Sequence, residues 1–138
     1  MSVRVSERNQ SRCEYVYNAL QIANLVNERI TKYANKIADE KRFKHFVKSH
    51  NYTLWNSPIF YAEQVYLNCQ RANRTREPNI RKQYLSKASE NLKMLENSVQ
   101  LFYNQFKSIV KDKFIMLLAE KIEYEVKLLA GQYNFLGI

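Results

Sequence analysis

Glycine and proline are nearly missing from this 138-residue chain, which holds two of each. The glycines, Gly131 and Gly137, both lie near the C-terminus, so there is no Gly-rich loop to cradle a phosphate. Turns and loops draw on both residue types, and their scarcity points to long helices with few connections. Cysteine is limited to Cys13 and Cys69, which form neither a disulfide framework nor a metal cluster. The two histidines, His45 and His50, are not one helical turn apart and have no cysteine beside them, so no zinc site is expected. No Glu is followed three residues later by His, which excludes the di-iron bundle pattern. No segment approaches the roughly 18 apolar residues of a membrane-spanning helix. Met1–Arg12 is polar and basic, unlike a secretory leader, and a reducing, cytoplasmic setting is expected.

Acidic residues are the other shortage. There are 13 Asp and Glu against 22 Lys and Arg, a net charge of +9. The imbalance is local. Residues 1–87 hold 16 cations and 7 carboxylates, whereas residues 88–138 hold 6 of each. The densest stretch is Arg71–Lys87, where Arg71, Arg74, Arg76, Arg81, Lys82 and Lys87 accompany the single carboxylate Glu77. Charge gathered in this way offers a surface to something anionic.

What the chain has is apolar periodicity. Hydrophobic residues make up 46% of it, including ten Tyr and seven Phe, enough for one core. A first helix is predicted over about Ser11–Asp39 from the recurrence of Val16, Ala19 or Leu20, Ala23, Val26, Ile30, Tyr33 or Ala34, and Ile37. Lys41–Ser57 suggests a short basic helix and then a turn, with Ser57 capping a second long helix that starts at Pro58 and ends near Arg74. Its stripe is Ala62, Val65 or Tyr66, Cys69 and Ala72. Pro78 fits the first turn of a third helix. There Leu85, Ala88, Leu92, Leu95, Val99, Phe102, Phe106 and Ile109 follow a 3,4 spacing like a coiled-coil seam. Asp112 is placed to cap a fourth helix bearing Ile115, Leu118, Ile122, Val126 and Leu129, with Gly131 as its stop. The expected fold is all-α, an up-down-up-down four-helix bundle. It is divided into a flexible basic arm (residues 1–10), the bundle (11–131) and a C-terminal tail (132–138) whose apolar residues have somewhere to dock.

No catalytic constellation is visible. Glu120 and Glu123 read as a solvated face, and Cys69 as a small buried hydrophobe. The basic cluster is the remaining signal, and phosphate neutralisation by Lys and Arg is the chemistry it suits best. The basic stretch Lys41, Arg42 and Lys44 adds to it. Tyr52, Trp55 and Tyr61 lie between the basic segments, where they can stack on bases or pack in the core. The breadth of the apolar stripes also leaves room for a homo-oligomer interface.

Several motifs carry a family resemblance. Ala72-Asn73 near the end of the second helix is followed by a basic loop. Then come Arg81 with Tyr84 and Ala88, the pair Leu92 and Leu95, and the closing Ile122-Glu-Tyr-Glu-Val-Lys-Leu-Leu129. The opening Ser11-Arg-Cys-Glu-Tyr15 belongs to the same likeness. With these the chain resembles the accessory variability determinant proteins of diversity-generating retroelements and the four-helix bundles encoded in ribosomal-RNA intervening sequences. The resemblance implies a non-enzymatic protein without cofactor. It implies a homo-oligomer, a pentamer, that binds RNA or DNA and a reverse transcriptase during mutagenic retrohoming. It also implies that Arg71, Arg74, Arg76, Arg81 and Lys82 contact nucleic acid. Replacing Arg74, Arg76 and Arg81 with Glu is then expected to abolish binding and leave the bundle folded.

Overall fold

The computed structural model describes residues 2–41, 44 and 53–136. Four long helices hold nearly all of them: α1 (Ser2–Asp39), α2 (Thr53–Arg74), α3 (Pro78–Gln105) and α4 (Asp112–Phe135). Each packs against its sequence neighbours, and α4 closes back on α1. This is the expected up-down-up-down bundle, all-α among the described residues. One end joins α2 to α3 and holds the start of α1 and the finish of α4. At the opposite end α3 turns into α4, and the Tyr33 hydroxyl of α1 accepts from the Lys111 backbone N–H at 3.3 Å.

The predicted third stripe is buried along its whole length, from Leu85 and Ala88 to Phe102 on α3 and on to Phe106 and Ile109 just past its end. It meets Ala62, Val65, Cys69 and Ala72 of α2, and Ile22, Val26, Ile30 and Ile37 of α1, in one core. Fully burying an aliphatic side chain stabilises by about 1.5–3 kcal/mol, so these stripes outweigh any local helix preference.

Helix ends differ from the sequence expectation where apolar residues continue past a formal stop signal. α1 begins at Ser2, so helix runs through residues 2–10, the stretch read above as an arm. No glycine or proline interrupts it. α2 begins at Thr53, which puts Pro58 inside the helix and removes Ser57 as a cap. An interior proline costs about 3 kcal/mol. Here Leu54 and Trp55, both packed against the core, offset that cost by holding the preceding turn. α3 stops at Gln105, yet the turn after it still buries Ile109 and Val110, whose N–H groups bond to the Phe106 carbonyl at 3.0 and 2.9 Å.

α4 is capped by the backbone of Lys111 rather than by the Asp112 side chain, which instead accepts from the Tyr103 hydroxyl. It does not stop at Gly131 but continues to Phe135, and Tyr133 and Leu136 pack on the core. Gly131 is exposed, with open space where a Cβ would project. Of the predicted short basic helix, Arg42, Phe43 and residues 45–52, including both histidines and Tyr52, lie outside the described residues.

The fourth stripe carries one surprise. Glu125 is fully buried, at 0% exposure, and Val126 beside it is 50% exposed. The Glu125 carboxyl accepts from Asn18 Nδ2 of α1 at 3.1 Å and from the Cys69 thiol of α2 at 3.4 Å. Asn18 also donates to the Lys121 carbonyl at 3.1 Å. Burial pushes the Glu125 carboxyl up to about 7, against the smaller opposing effect of its two hydrogen bonds. The same burial, with Glu125 beside it, drives the Cys69 thiol upward and leaves it un-ionised. Cys69 is a core residue with a polar role.

Candidate nucleic-acid interface

The corner between α2 and α3 is built by a short connection whose backbone is tied at both sides. Thr75 ends α2 with its hydroxyl on the Arg71 carbonyl at 2.7 Å. Glu77 caps α3, accepting from the backbone N–H groups of Asn79 at 3.1 Å and Ile80 at 2.8 Å, and Pro78 fills the first turn. The only carboxylate of the Arg71–Lys87 stretch is therefore engaged with helix N–H groups rather than with a cation.

Arg71 and Arg74 lie in the last turn of α2 and Arg76 in the connection, all three exposed. Arg71 and Arg74 sit favourably against the negative end of the α2 dipole. Lys87 is exposed on α3, its ammonium 5.6 Å from the centre of the Tyr84 ring. None of these four makes an ion pair among the described residues.

Arg81 and Lys82 are placed differently. Arg81 is half-buried, with one guanidinium nitrogen donating to the Gln132 side chain of α4 at 3.3 Å. Its Nε is buried without a hydrogen-bond partner among the described residues, as is the hydroxyl of Tyr15, which is 1% exposed. Burial raises the Tyr15 hydroxyl above its ordinary value, and the Arg81 guanidinium opposes part of that rise. Arg81 thus ties α3 to α4 and lies close to α1. A glutamate in its place would set a carboxylate beside a buried phenol, so the Arg74, Arg76 and Arg81 triple change perturbs the bundle as well as the surface. Lys82 is also half-buried, 4.9 Å from the centre of the Tyr133 ring.

Lys41 and Lys44 are exposed but follow the far end of α1. A 28-residue helix such as α3 is about 42 Å long, so one copy does not bring this pair to the α2–α3 corner. Arg42 lies outside the described residues. Glu120 and Glu123 are exposed, and Glu123 meets Lys127 at 3.9 Å. Among the described residues no group of three or more His, Cys, Asp or Glu is gathered as for a metal, and no helix is long and apolar enough to cross a membrane. Trp55 and Tyr61, considered above as base-stacking groups, are half-buried against the core.

Periodicity gave no warning of the Arg81 tether or of Glu125. Strict 3,4 spacing from Leu118 and Ile122 leads to Glu125 and Leu129, and only the polarity of glutamate directs the stripe to Val126 instead. For Arg81 the nearest signal is that it lies four residues before the buried Leu85, at the edge of the seam.

Comparison with known protein families, characterised proteins and solved structures finds no match.

Proposed function

We propose that this chain is a non-catalytic helical protein that binds nucleic acid at the α2–α3 corner. The finer reading, which rests on the sequence motifs, is an accessory protein of a diversity-generating retroelement. It would work as a homo-oligomer, a pentamer, beside a reverse transcriptase. The observation that carries the coarser reading is the set of exposed cations Arg71, Arg74, Arg76 and Lys87, without ion pairs among the described residues, with the local carboxylate Glu77 committed to a helix cap. Such groups neutralise phosphates and release counterions, which gives sequence-independent, salt-sensitive affinity.

The test is RNA and DNA binding at two salt concentrations, with Arg71, Arg74 and Arg76 changed together to Glu. Affinity should fall steeply with salt, and the variant should lose binding while keeping its helical signal. Unchanged affinity for structured RNA would remove this corner from the interface. Light scattering tests the oligomer, and co-purification with a reverse transcriptase tests the finer reading.

A second reading, a protein-interaction module or oligomeric scaffold, draws on the groove between α3 and α4. It is about 390 Å³ in volume and lined by Val99, Ile115, Leu118, Ala119, Ile122 and Val126 together with the polar Glu96, Gln100 and Glu123. Oligomerisation or partner binding that survives loss of the corner cations, with no affinity for RNA or DNA, would favour it.

A further inference from the structure

The side of α2 that faces away from the core carries a pattern with the same spacing from either end. Ala62, Val65, Cys69 and Ala72 are buried and mark the inner face. Opposite them lie Phe60, Glu63, Leu67, Arg71 and Arg74, all exposed and within an arc of about 80° on the helix. Their spacing is 3, 4, 4, 3, symmetric about Leu67. Phe60 is 54% exposed and Leu67 37%. One exposed hydrophobe needs no explanation, but two on one stripe, a heptad apart, repeat the spacing with which helices pair.

The charges on this stripe lack partners in their own copy. Glu63, Arg71 and Arg74 make no ion pair among the described residues. Glu63 and Arg71 are two turns apart, about 12 Å along the axis, too far to meet within one helix. A twofold axis through Leu67 removes that distance. An antiparallel second α2 sets Leu67 against Leu67, Glu63 against Arg71 and Phe60 against Arg74, and the symmetry makes the last two contacts twice. A parallel pair in register would set Glu63 on Glu63 and Arg71 on Arg71, which repels.

We propose that the outer stripe of α2 is a self-recognition surface, on which a second copy of this chain docks antiparallel with Leu67 at the twofold axis. The proposal goes beyond the nucleic-acid reading and does not rest on it. In the pair, Arg71 is held by Glu63 of the second copy. Arg74 lies on a ring rather than a carboxylate, so it keeps its charge for phosphates, as do Arg76 and Lys87. A twofold contact closes at two copies, so it differs from the head-to-tail contacts of a pentameric ring and joins two rings where rings form. The same register brings the opposite end of the second copy, where Lys41 and Lys44 stand, beside the α2–α3 corner.

The experiment measures self-association of the purified chain, without nucleic acid, by light scattering and sedimentation equilibrium over a concentration series. The proteins are the wild type, Glu63→Arg, Arg71→Glu, the double exchange carrying both, and Leu67→Ala. The stripe is exposed, so each variant should keep the helical signal. The wild type should associate through a dimer contact. Each single reversal puts like charges together twice and should weaken association by about tenfold or more. The double exchange restores opposite charges across the axis and should recover wild-type association, and Leu67→Ala should weaken it. A monomer at every concentration, an oligomer indifferent to both single reversals, or a double exchange no tighter than the singles overturns the proposal. None of these results decides the nucleic-acid reading, which stands or falls on RNA and DNA binding at two salt concentrations.

Discussion

Glu125 makes the stability of this bundle depend on pH in a direction opposite to that of most surface carboxylates. Its neighbours supply only neutral donors: Asn18 from α1 and the Cys69 thiol from α2. Burial outweighs both, and the carboxyl is raised from 4.5 to about 7. A raised carboxyl favours proton uptake on folding. Its contribution is therefore complete below the unfolded value and is lost as pH climbs through the folded one. A shift of that size corresponds to about 3 kcal/mol between pH 4.5 and pH values above 7. Glu125→Gln keeps the shape, keeps an oxygen for Asn18 and removes the ionisation. Urea denaturation followed by the helical circular-dichroism signal, at about pH 5 and about pH 8, tests this. The two proteins should be similar near pH 5, and the variant should be the more stable near pH 8, by up to about 3 kcal/mol. Every other ionisable group is common to both proteins, so the difference between them isolates Glu125. Parallel pH profiles would refute the reasoning and would mean that the folded protein ionises Glu125 at little cost.

Gly131→Ala should stabilise by about 0.5–1 kcal/mol in the same denaturation assay, because the residue is helical, exposed and free of neighbours at the Cβ position. Leu95→Ala, at the fully buried middle of the α3 seam, should cost about 2–5 kcal/mol. Arg81→Ala should destabilise by roughly 1–2 kcal/mol through the lost tether to Gln132 and lost packing of its stem; a stability equal to wild type would return Arg81 to the surface set. Each of Arg71→Gln, Arg74→Gln and Arg76→Gln should lower the log–log salt slope of nucleic-acid binding by about one and leave the melting temperature in place.

Helix faces were legible in the sequence because a period of three or four residues is imposed by the core itself. The α3 seam from Leu85 to Phe102 is buried as its spacing requires, and Phe106 and Ile109 stay buried in the turn beyond the helix. Helix ends were less legible, because a local stop signal competes with apolar contact beyond it. Pro58 and Gly131 are both breakers by local chemistry, and both sit inside helices because Leu54 and Trp55 in one case, and Tyr133 and Leu136 in the other, reach the core. The corner was legible as a charge count but not as a set of roles. Arg76 and Arg81 look alike in sequence, yet one lies open in the connection and the other is threaded between α4 and α1. Only the antiparallel return of α4, with Gln132 on it, separates them. Glu125 was hidden by the assumption that a glutamate on an apolar stripe must point outward; Asn18, on a neighbouring helix and far away in sequence, is what allows it to turn in.

The two basic regions bear on how a nucleic acid would be held. Lys41 and Lys44 stand near one end of the bundle and Arg71, Arg74 and Arg76 at the other, separated by about 40 Å, the length of α3. The Debye length at physiological salt is about 8 Å, so within one copy the two regions do not act as a single electrostatic unit. A strand bound at the α2–α3 corner gains nothing from Lys41 unless it runs the length of the bundle. It would then run along the α1 surface, past the exposed Arg29, Lys32 and Lys36 as well as the exposed Glu28. Joint use of both regions is geometrically simpler if a neighbouring copy sets its far end beside this corner. The oligomer and the nucleic-acid site then become one question, and it has a direct readout. If both regions serve one strand across copies, then Lys41→Glu with Lys44→Glu should weaken binding only under conditions where light scattering finds the oligomer. If the pair weakens binding equally in a dilute monomer, the strand runs along a single bundle; if it has no effect in either state, the α2–α3 corner acts alone.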